Sequence, residues 1–255
     1  MQKINNPYWY RSGWSLDIKN ESWVEDTVNQ VDFIIKALNL TGTEKILDLA
    51  CGFGRHSLEF AKRGYSVVGI DLTKEYIDDA KKTAQELSLN CDFLNLDIRE
   101  VAFKNEFDVV LNLADGAIGY LENDEENLKI FDVISNALKP SGKHFMDICR
   151  AEHAEYFFPK RYWEIGSKSL ALAEFDWDKE KRKMYYSGWD IPYGEPAQKP
   201  ELPPASGTRL YSLEEIKEIM LQRDMTVIST YSDYYGSPQT YKEMQLMVCS
   251  QKGQG

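Results

Sequence analysis

The chain has 255 residues, 43% of them hydrophobic, and a formal net charge of −11. This length suits one large α/β domain with an insertion, or two small domains. A general DNA- or RNA-binding protein needs a basic surface to neutralise phosphates, and the sequence has no block of Lys or Arg, so nucleic acid is disfavoured as a partner.

The cysteines and the N-terminus indicate a reducing compartment. The four cysteines lie far apart, with no CxxC pair and no histidine at ligand spacing, which argues against a metal site and a disulfide framework. No apolar signal core precedes the first charged stretch, and no run approaches the roughly 20 apolar residues of a membrane helix. We therefore predict a cytoplasmic protein with no bound metal and no membrane partner.

Residues 1–40 are predicted to form an irregular aromatic segment and a helix. The helix is expected to begin at Ser22, whose hydroxyl would form a capping box with Glu25. Apolar residues then follow at helical spacing, at Val24, Val28, Val31, Ile35 and Leu38.

From Lys45 onward, short apolar runs alternate with amphipathic stretches. The runs are 46–49, 66–70, 92–96, 107–113 and 144–148, and the helical stretches lie near 55–63, 74–87 and 125–138. Residues 139–142 carry a turn signal that ends the last helix. This alternation implies β-α-β units, with parallel strands covered on both faces, and right-handed crossovers then produce a doubly wound sheet.

After residue 148 the pattern becomes antiparallel. Residues 160–191 are predicted to form strands around a polar turn, followed by a Pro-rich loop at 192–204. A helix capped at Ser212 should end near Arg223. The strands 225–231 and 244–250 are joined by a hairpin-length loop, so the last strand should run antiparallel to the rest.

The predicted fold class is therefore α/β. We expect a doubly wound seven-stranded sheet, mostly parallel with an antiparallel last strand, plus a small antiparallel β insertion. The predicted boundaries are 1–40 for the N-terminal segment, 41–150 with 209–255 for the Rossmann-like domain, and 151–208 for the insertion.

A Gly-rich turn follows the first predicted strand, within residues 46–57. Such a turn places backbone N–H groups and a helix N-terminus at the edge of the sheet. The dinucleotide fingerprint G-x-G-x-x-G would require a third glycine at position 57, which is Ser. The pattern D-x-[GA]-x-G-x-G is matched by Asp48, Ala50, Gly52 and Gly54, and it resembles motif I of the class I S-adenosylmethionine-dependent methyltransferases.

Acids end the next two predicted strands. Asp71 can accept both hydroxyls of a ribose, which fits NAD as well as S-adenosylmethionine. Asp97 ends the third strand, where the methyltransferase pattern has an acid that accepts the adenine amino group. The alternative for Asp97 is a helix N-cap or a turn residue.

The resemblance extends from about residue 30 over nearly the whole chain, to a group of bacterial small-molecule methyltransferases. It implies S-adenosylmethionine as the cofactor, with the glycine turn at the methionine part, Asp71 at the ribose, Asp97 and Ile98 at adenine, and Leu113 on the sulfur side. The full set predicted to bind the cofactor is Asp48, Ala50, Cys51, Gly52, Gly54, Asp71, Leu72, Asp97, Ile98 and Leu113. Residues 115–118 depart from the family pattern where the acceptor would bind.

Methyl transfer from a sulfonium requires alignment and exclusion of water, and a base only when the nucleophile arrives protonated. The sequence identifies no catalytic residue. His56 is expected to shape the site or pack, His144 to lie in the core, and His153 to lie at the surface. Asp115 and Tyr120 are candidates for polar groups of the acceptor pocket.

The resemblance also suggests how the acceptor is covered. Residues 151–208 are hypothesised to form a substrate lid or a dimer surface, with Tyr8, Tyr10 and Trp14 shielding the methyl group. The alternative is that these aromatics only pack the N-terminal helix.

The predicted function is methyl transfer to a small-molecule acceptor, in a chain that can form a homodimer. Two alternatives stay open: an NAD(P)-dependent oxidoreductase and a non-catalytic protein that binds S-adenosylmethionine.

Overall fold

The computed structural model describes residues 6–166, 168–198 and 205–254. The helices are α1 (Thr27–Leu38), α2 (Arg55–Lys62), α3 (Lys74–Glu86), α4 (Asp124–Ala137), α5 (Ala151–Phe157) and α6 (Leu213–Leu221). The strands are β1 (Lys45–Leu49), β2 (Ser66–Asp71), β3 (Cys91–Asn95), β4 (Phe107–Asn112), β5 (Leu138–Cys149), β6 (Lys160–Ile165), β7 (Ser169–Asp178), β8 (Lys183–Pro192), β9 (Ser206–Arg209), β10 (Met225–Tyr231) and β11 (Gln245–Lys252). Four short 3₁₀ turns, Trp9–Arg11, Leu16–Asn20, Ser22–Val24 and Ile98–Glu100, lie between them.

Seven strands form one sheet in the order β10-β11-β5-β4-β1-β2-β3. The pairs from β5 to β3 are parallel, whereas β11 runs antiparallel to both β5 and β10. Strands β6 to β9 form a separate antiparallel sheet. The predicted fold class is confirmed, including the reversed last strand and the antiparallel insertion.

The core has two main layers, one on each face of the large sheet. Leu47 and Leu49 of β1 point to the layer that includes α4 and α6, while Ile46 points to the layer that includes α1 and α2. This alternation follows from the two-residue period of a strand. Helices on both faces bury these parallel strands, so their carboxyl ends form the edge that is open to a ligand.

The start of α1 differs from the prediction. The helix begins at Thr27, after a short 3₁₀ turn, and Asp26 at its N-cap position makes no side-chain cap. Val28, which belonged to the predicted stripe, is 51% exposed. The buried apolar residues are Val31, Ile34 and Leu38, which share a face at spacings of three and four.

Residues 138–157 differ from the prediction in two ways. Residues 139–142 belong to β5, where pairing with β4 shifts register and Ser141 has a φ of 63°, so the turn residues kink a strand that already began at Leu138. Helix α5 follows β5 directly and was not predicted.

Of the Pro-rich loop, Pro192 ends β8, and residues 199–204 lie outside the described residues. Within the described ranges, no helix is long and apolar enough to cross a membrane.

Candidate cofactor and acceptor site

The glycine turn between β1 and α2 has a left-handed backbone. Ala50, Gly52 and Gly54 have φ values of 58°, 57° and 77°. A Cβ at Gly54 would lie 2.7 Å from the Phe93 ring, whereas one at Gly52 would meet no atom within 4 Å. Gly54 is therefore needed for packing inside the fold, and Gly52 borders open space at the sheet edge, where a ligand can approach the backbone.

Asp71 lies beside this turn and is held by two backbone amides. Its Oδ2 accepts from the Gly52 N–H at 2.9 Å, and its Oδ1 accepts from the Thr73 N–H at 2.7 Å. Burial raises the pKa of Asp71, and the two amide hydrogen bonds act against that rise. Each oxygen keeps acceptor capacity, so the oriented carboxylate fits the two hydroxyls of a ribose.

Asp48 and Cys51 support the turn from inside. Asp48 is 1% exposed, and its Oδ2 accepts from the Ser57 hydroxyl at 2.6 Å. Burial raises the pKa of Asp48 to about 7, and the Ser57 hydrogen bond opposes that rise. The Cys51 N–H donates to the Ile70 carbonyl at 2.9 Å, and its buried side chain packs with Phe93. Both side chains are buried.

A cavity of about 490 Å³ lies at the ends of β2 and β3. It is lined by Arg11, Leu72, Asn95, Leu96, Asp97, Arg99, Glu100, Glu126 and Lys129. Ligand pockets commonly have volumes of about 300–1,000 Å³. Apolar Leu72 and Leu96 beside Asp97 fit a flat ring with a polar edge, such as adenine. Ile98, also predicted beside adenine, is buried in the adjoining core.

Asp97 already has four donors in the structure. Its Oδ1 accepts from the Arg99 backbone N–H at 3.0 Å and from Arg99 Nε at 2.9 Å. Its Oδ2 accepts from Arg99 Nη2 at 2.6 Å and from Arg11 Nη2 at 3.1 Å. The hydrogen bonds from Arg99 lower the pKa of Asp97. A carboxylate has about four acceptor positions, so an adenine amino group would have to displace a donor, and Arg11 on the N-terminal segment is the longest of the four contacts.

The N-terminal aromatics lie differently from the prediction. Trp9, which was not among the residues expected to shield the methyl group, has its ring 4.8 Å from that of Tyr120, and Trp14 stacks on Tyr120 at 6.4 Å. Tyr10 is buried in the core, and Tyr8 is 53% exposed. Trp9 and Trp14 line the wall beside Tyr120, and shielding of the methyl group by Tyr8, Tyr10 and Trp14 stays a prediction.

The end of β4 continues into a strained turn. Leu113 is buried there, and Ala114, Asp115 and Ala117 have φ values of 51°, 69° and 63°. Such conformations cost about 1–2 kcal/mol per non-glycine residue and are common at functional sites. Asp115 accepts from the Cys149 N–H at 3.0 Å and from the Tyr120 hydroxyl at 3.1 Å. The hydrogen bond from Cys149 ties the turn to β5. Burial raises the pKa of Asp115.

All three histidines are buried. His56 Nε2 lies 2.8 Å from Gln30 Oε1, and His144 Nδ1 lies 3.2 Å from Ser250 Oγ. The predicted surface position of His153 is wrong, because the ring packs between Phe157 and Phe158. Burial lowers the pKa of each imidazole, to about 3 for His144. Each is therefore neutral near pH 7. No cluster of His, Cys, Asp or Glu among the described residues is suited to a metal ion.

Sequence reasoning missed three residues near the glycine turn. Asp147, in β5, is 4% exposed, and its Oδ2 accepts from the Tyr234 hydroxyl at 2.9 Å. Burial raises the pKa of Asp147 to about 7. Arg55, the first residue of α2, donates through Nη1 to Gln30 at 2.6 Å. An acid inside an apolar strand and an arginine directly after the glycines were the available signals.

Comparison with known proteins agrees with this geometry. Residues 46–142 match the family model described as a methyltransferase domain. YqeM of Bacillus subtilis, provisionally named a methyltransferase, is 34% identical over 116 residues, which cover 45% of this chain and 46% of YqeM. The ubiquinone biosynthesis O-methyltransferase of Dechloromonas aromatica is 29% identical over 131 residues, covering 51% and 54%. The chain thus spans about half the length of these two curated relatives.

The full fold is also found in solved structures. An S-adenosylmethionine-dependent methyltransferase from Clostridium acetobutylicum superposes with a TM-score of 0.73 at 18% identity, covering 93% of this chain and 96% of that one. Residues 46–142 therefore resemble a methyltransferase domain, and the chain has the fold of this solved structure. Its sheet order and reversed last strand agree with the fold that the resemblance to the class I S-adenosylmethionine-dependent methyltransferases implies.

Proposed function

We propose that this chain transfers a methyl group from S-adenosylmethionine to a small-molecule acceptor by in-line displacement. The observation that carries the proposal is the carboxyl edge of the sheet, where the open space at Gly52, the fixed carboxylate of Asp71 and the cavity beside Leu72 follow one another. The antiparallel β11 supports this proposal over an NAD(P)-dependent oxidoreductase, whose dinucleotide sheet is expected to lack the reversed strand.

When bound, the sulfonium supplies an electrophilic methyl group that needs no further activation. The residues of the chain have to bind the donor and the acceptor, orient them towards each other and exclude water. Asp71 would hold the ribose hydroxyls, Leu72 and Asp97 the adenine, and Leu113 the sulfur side. The aromatic wall of Trp9, Trp14 and Tyr120 would keep water from the other side.

Two observations support a small molecule as the acceptor. The net charge is −11, which disfavours a nucleic acid substrate. One relative is named for O-methylation in ubiquinone biosynthesis, which is a reaction on a small molecule. Neither observation names the atom that receives the methyl group in this chain, so we propose the acceptor as a class only.

The insertion at residues 151–208 is proposed to cover the acceptor or to pair with a second copy of the chain. Lys168 on this insertion donates to Asn20 of the N-terminal segment at 3.2 Å, so the two parts adjoin. Trp163 and Ile165 on β6 are exposed and apolar, which suits contact with a substrate or a partner. Sedimentation at several protein concentrations distinguishes a dimer surface from a lid used by the monomer.

A thermal-shift comparison of S-adenosylmethionine, S-adenosylhomocysteine and NAD tests the proposal. At a ligand concentration 100-fold above Kd, stabilisation is about 2.7 kcal/mol, or roughly 5–10 °C in Tm for a chain of this size. We expect this shift with both adenosyl ligands. A shift with NAD alone would contradict the proposal. Release of S-adenosylhomocysteine in an acceptor screen then distinguishes an enzyme from a non-catalytic binding protein.

A further inference from the structure

A half-buried arginine and a buried aspartate lie at the carboxyl edge of the sheet without a role in the assignments above. Arg55 directly follows the glycine turn, and Asp147 lies two residues before the end of β5. Phe145 packs on Phe33 of α1. Because strand side chains alternate, Asp147 is on the same face as Phe145, the face covered by α1 and α2.

Asp147 has one oxygen without a partner. Oδ2 accepts from the Tyr234 hydroxyl at 2.9 Å, while the buried Oδ1 has no hydrogen bond within the described residues. Buried polar atoms in native proteins nearly always have a partner, and an exception calls for an explanation. When Asp147 is ionised, its oxygens can only accept, so the partner missing from the ionised form is a hydrogen-bond donor.

Arg55 is held in place without an ion pair. Its Nη1 donates to Thr27 Oγ1 at 2.8 Å and to Gln30 Oε1 at 2.6 Å, and its guanidinium lies 4.9 Å from the Trp23 ring. In the part of the chain that the structure describes, no salt bridge to Arg55 is formed. Opposite charges attract over longer distances, and Arg55 and Asp147 do affect each other's pKa. The two charges are therefore close enough to interact, but they do not form an ion pair.

The other titratable groups that act on Arg55 and Asp147 are carboxyl groups and one phenol. Asp48, Asp26 and Tyr234 act on Arg55, and Asp115 acts on Asp147. Asp48 is bonded to Ser57, and Asp115 is bonded to Cys149 and Tyr120. Asp26 accepts from Asn29. These acids are thus bonded elsewhere, whereas Asp147 Oδ1 has no partner among the described residues.

We propose that Arg55 and Asp147 bind the α-amino acid end of the methyl donor, with Asp147 accepting from its ammonium and Arg55 facing its carboxylate. This inference rests on the proposed function. The α-amino acid end is a zwitterion, so its two charges are complementary to a carboxylate and a cation that interact without forming an ion pair. An amine on the acceptor is the competing ligand for Asp147. The donor is favoured because the pair lies on the α1 and α2 face beside the glycine turn, whereas Tyr120 and Trp9 pack in the opposite layer.

The test is a double comparison by titration calorimetry. The ligands are S-adenosylhomocysteine and its desamino analogue, in which hydrogen replaces the α-ammonium. The proteins are the wild type, Asp147→Asn and the control Asp108→Asn. Asp108 lies on β4 at the other end of the sheet, where it accepts from the Lys45 N–H at 2.9 Å and from Lys139 Nζ at 2.7 Å.

We expect the wild type and Asp108→Asn to prefer S-adenosylhomocysteine over the desamino analogue by about 10- to 100-fold, the usual scale for a hydrogen bond to a charged group. In Asp147→Asn the preference should fall to about threefold or less. Equal binding of the two ligands by the wild type, or an unchanged preference in Asp147→Asn, contradicts the inference. If the wild type binds neither ligand, the proposed function itself is wrong.

A second variant covers the case in which Asp147→Asn does not fold. Tyr234→Phe keeps the carboxyl and removes the hydroxyl that orients it, so the ammonium preference should be smaller than in the wild type. A preference equal to that of the wild type contradicts the inference.

For the other half of the pair, Arg55→Gln should reduce the preference for S-adenosylhomocysteine over its decarboxylated analogue. A preference as large as that of the wild type would remove Arg55 from the proposal.

Discussion

Replacing Asp48 by Asn should change the pH dependence of stability. Asp48 is buried beneath the glycine turn, where Ser57 donates to it and Arg55 and Asp71 act on its charge. Burial raises its pKa in the folded protein from an ordinary 3.8 to about 7. Between these two values the folded protein keeps the proton that the unfolded chain has lost. Stability from this group therefore falls as pH rises from about 4 to 7.

The size of the effect follows from the two pKa values. Each tenfold difference in proton affinity is about 1.4 kcal/mol, so full ionisation costs the fold about 4 kcal/mol at most, of which about 2–3 kcal/mol is lost between pH 5 and pH 8. In Asp48→Asn the amide oxygen still accepts from Ser57, and no charge develops. The variant should therefore gain about 2–3 kcal/mol over the wild type between pH 5 and pH 8.

Urea unfolding at pH 5, 6, 7 and 8 measures this difference. Subtracting the wild type from Asp48→Asn cancels the other titrating groups, including Asp147, whose pKa burial also raises to about 7. A difference that is constant with pH would refute the account of Asp48. A difference that shrinks with rising pH would mean that the carboxylate is stabilised in the fold and not destabilised.

Three further predictions concern the turn, the ribose acid and the N-terminal segment. Asp71→Ala should weaken S-adenosylhomocysteine binding by about 1.5–3 kcal/mol in calorimetry, while the exposed Asp92→Ala should not, and unaltered affinity would mean that the ribose assignment is wrong. Gly54→Ala should lower the free energy of unfolding by about 1–3 kcal/mol more than Gly42→Ala, because both have positive φ but only Gly54 meets Phe93; equal losses would contradict this packing role. Hydrogen exchange of residues 8–14 should slow when S-adenosylhomocysteine binds, and no change would remove the lid hypothesis.

The central strands were predictable because their sequence signal is local. Strands β1, β2 and β4 begin and end within one residue of the predicted bounds, since parallel strands buried on both faces are continuous apolar runs. The capping box at Ser212 and Glu215 is present as predicted, and it begins α6. These signals were sufficient to predict the sheet and hence which ends of the strands meet.

Helix boundaries that depend on packing were harder to predict. Ser22 and Glu25 match a capping pattern, yet α1 begins at Thr27 because the residues that face the sheet are Val31, Ile34 and Leu38. Helix α5 has no side-chain cap, and its buried Ala151 and Ala154 pack in a cluster with the insertion. A short helix of this kind owes its stability to tertiary contacts that the local sequence does not show.

Contacts between distant segments could not be predicted from sequence patterns. The sequence left Asp97 as either an adenine acceptor or a cap, and the structure shows the cap together with an ion pair to Arg11, 86 residues away. Likewise, nothing in the order of residues brings Tyr234 to Asp147. Such pairs depend on the tertiary fold, which local sequence patterns do not show.

A crystal structure of the protein with S-adenosylhomocysteine tests the central claim most directly. The account predicts the ribose hydroxyls on Asp71, the adenine in the cavity beside Leu72, and the amino acid end next to the glycine turn. Binding of the ligand at another place, or crystals that take up NAD in this cleft and exclude S-adenosylhomocysteine, would contradict it.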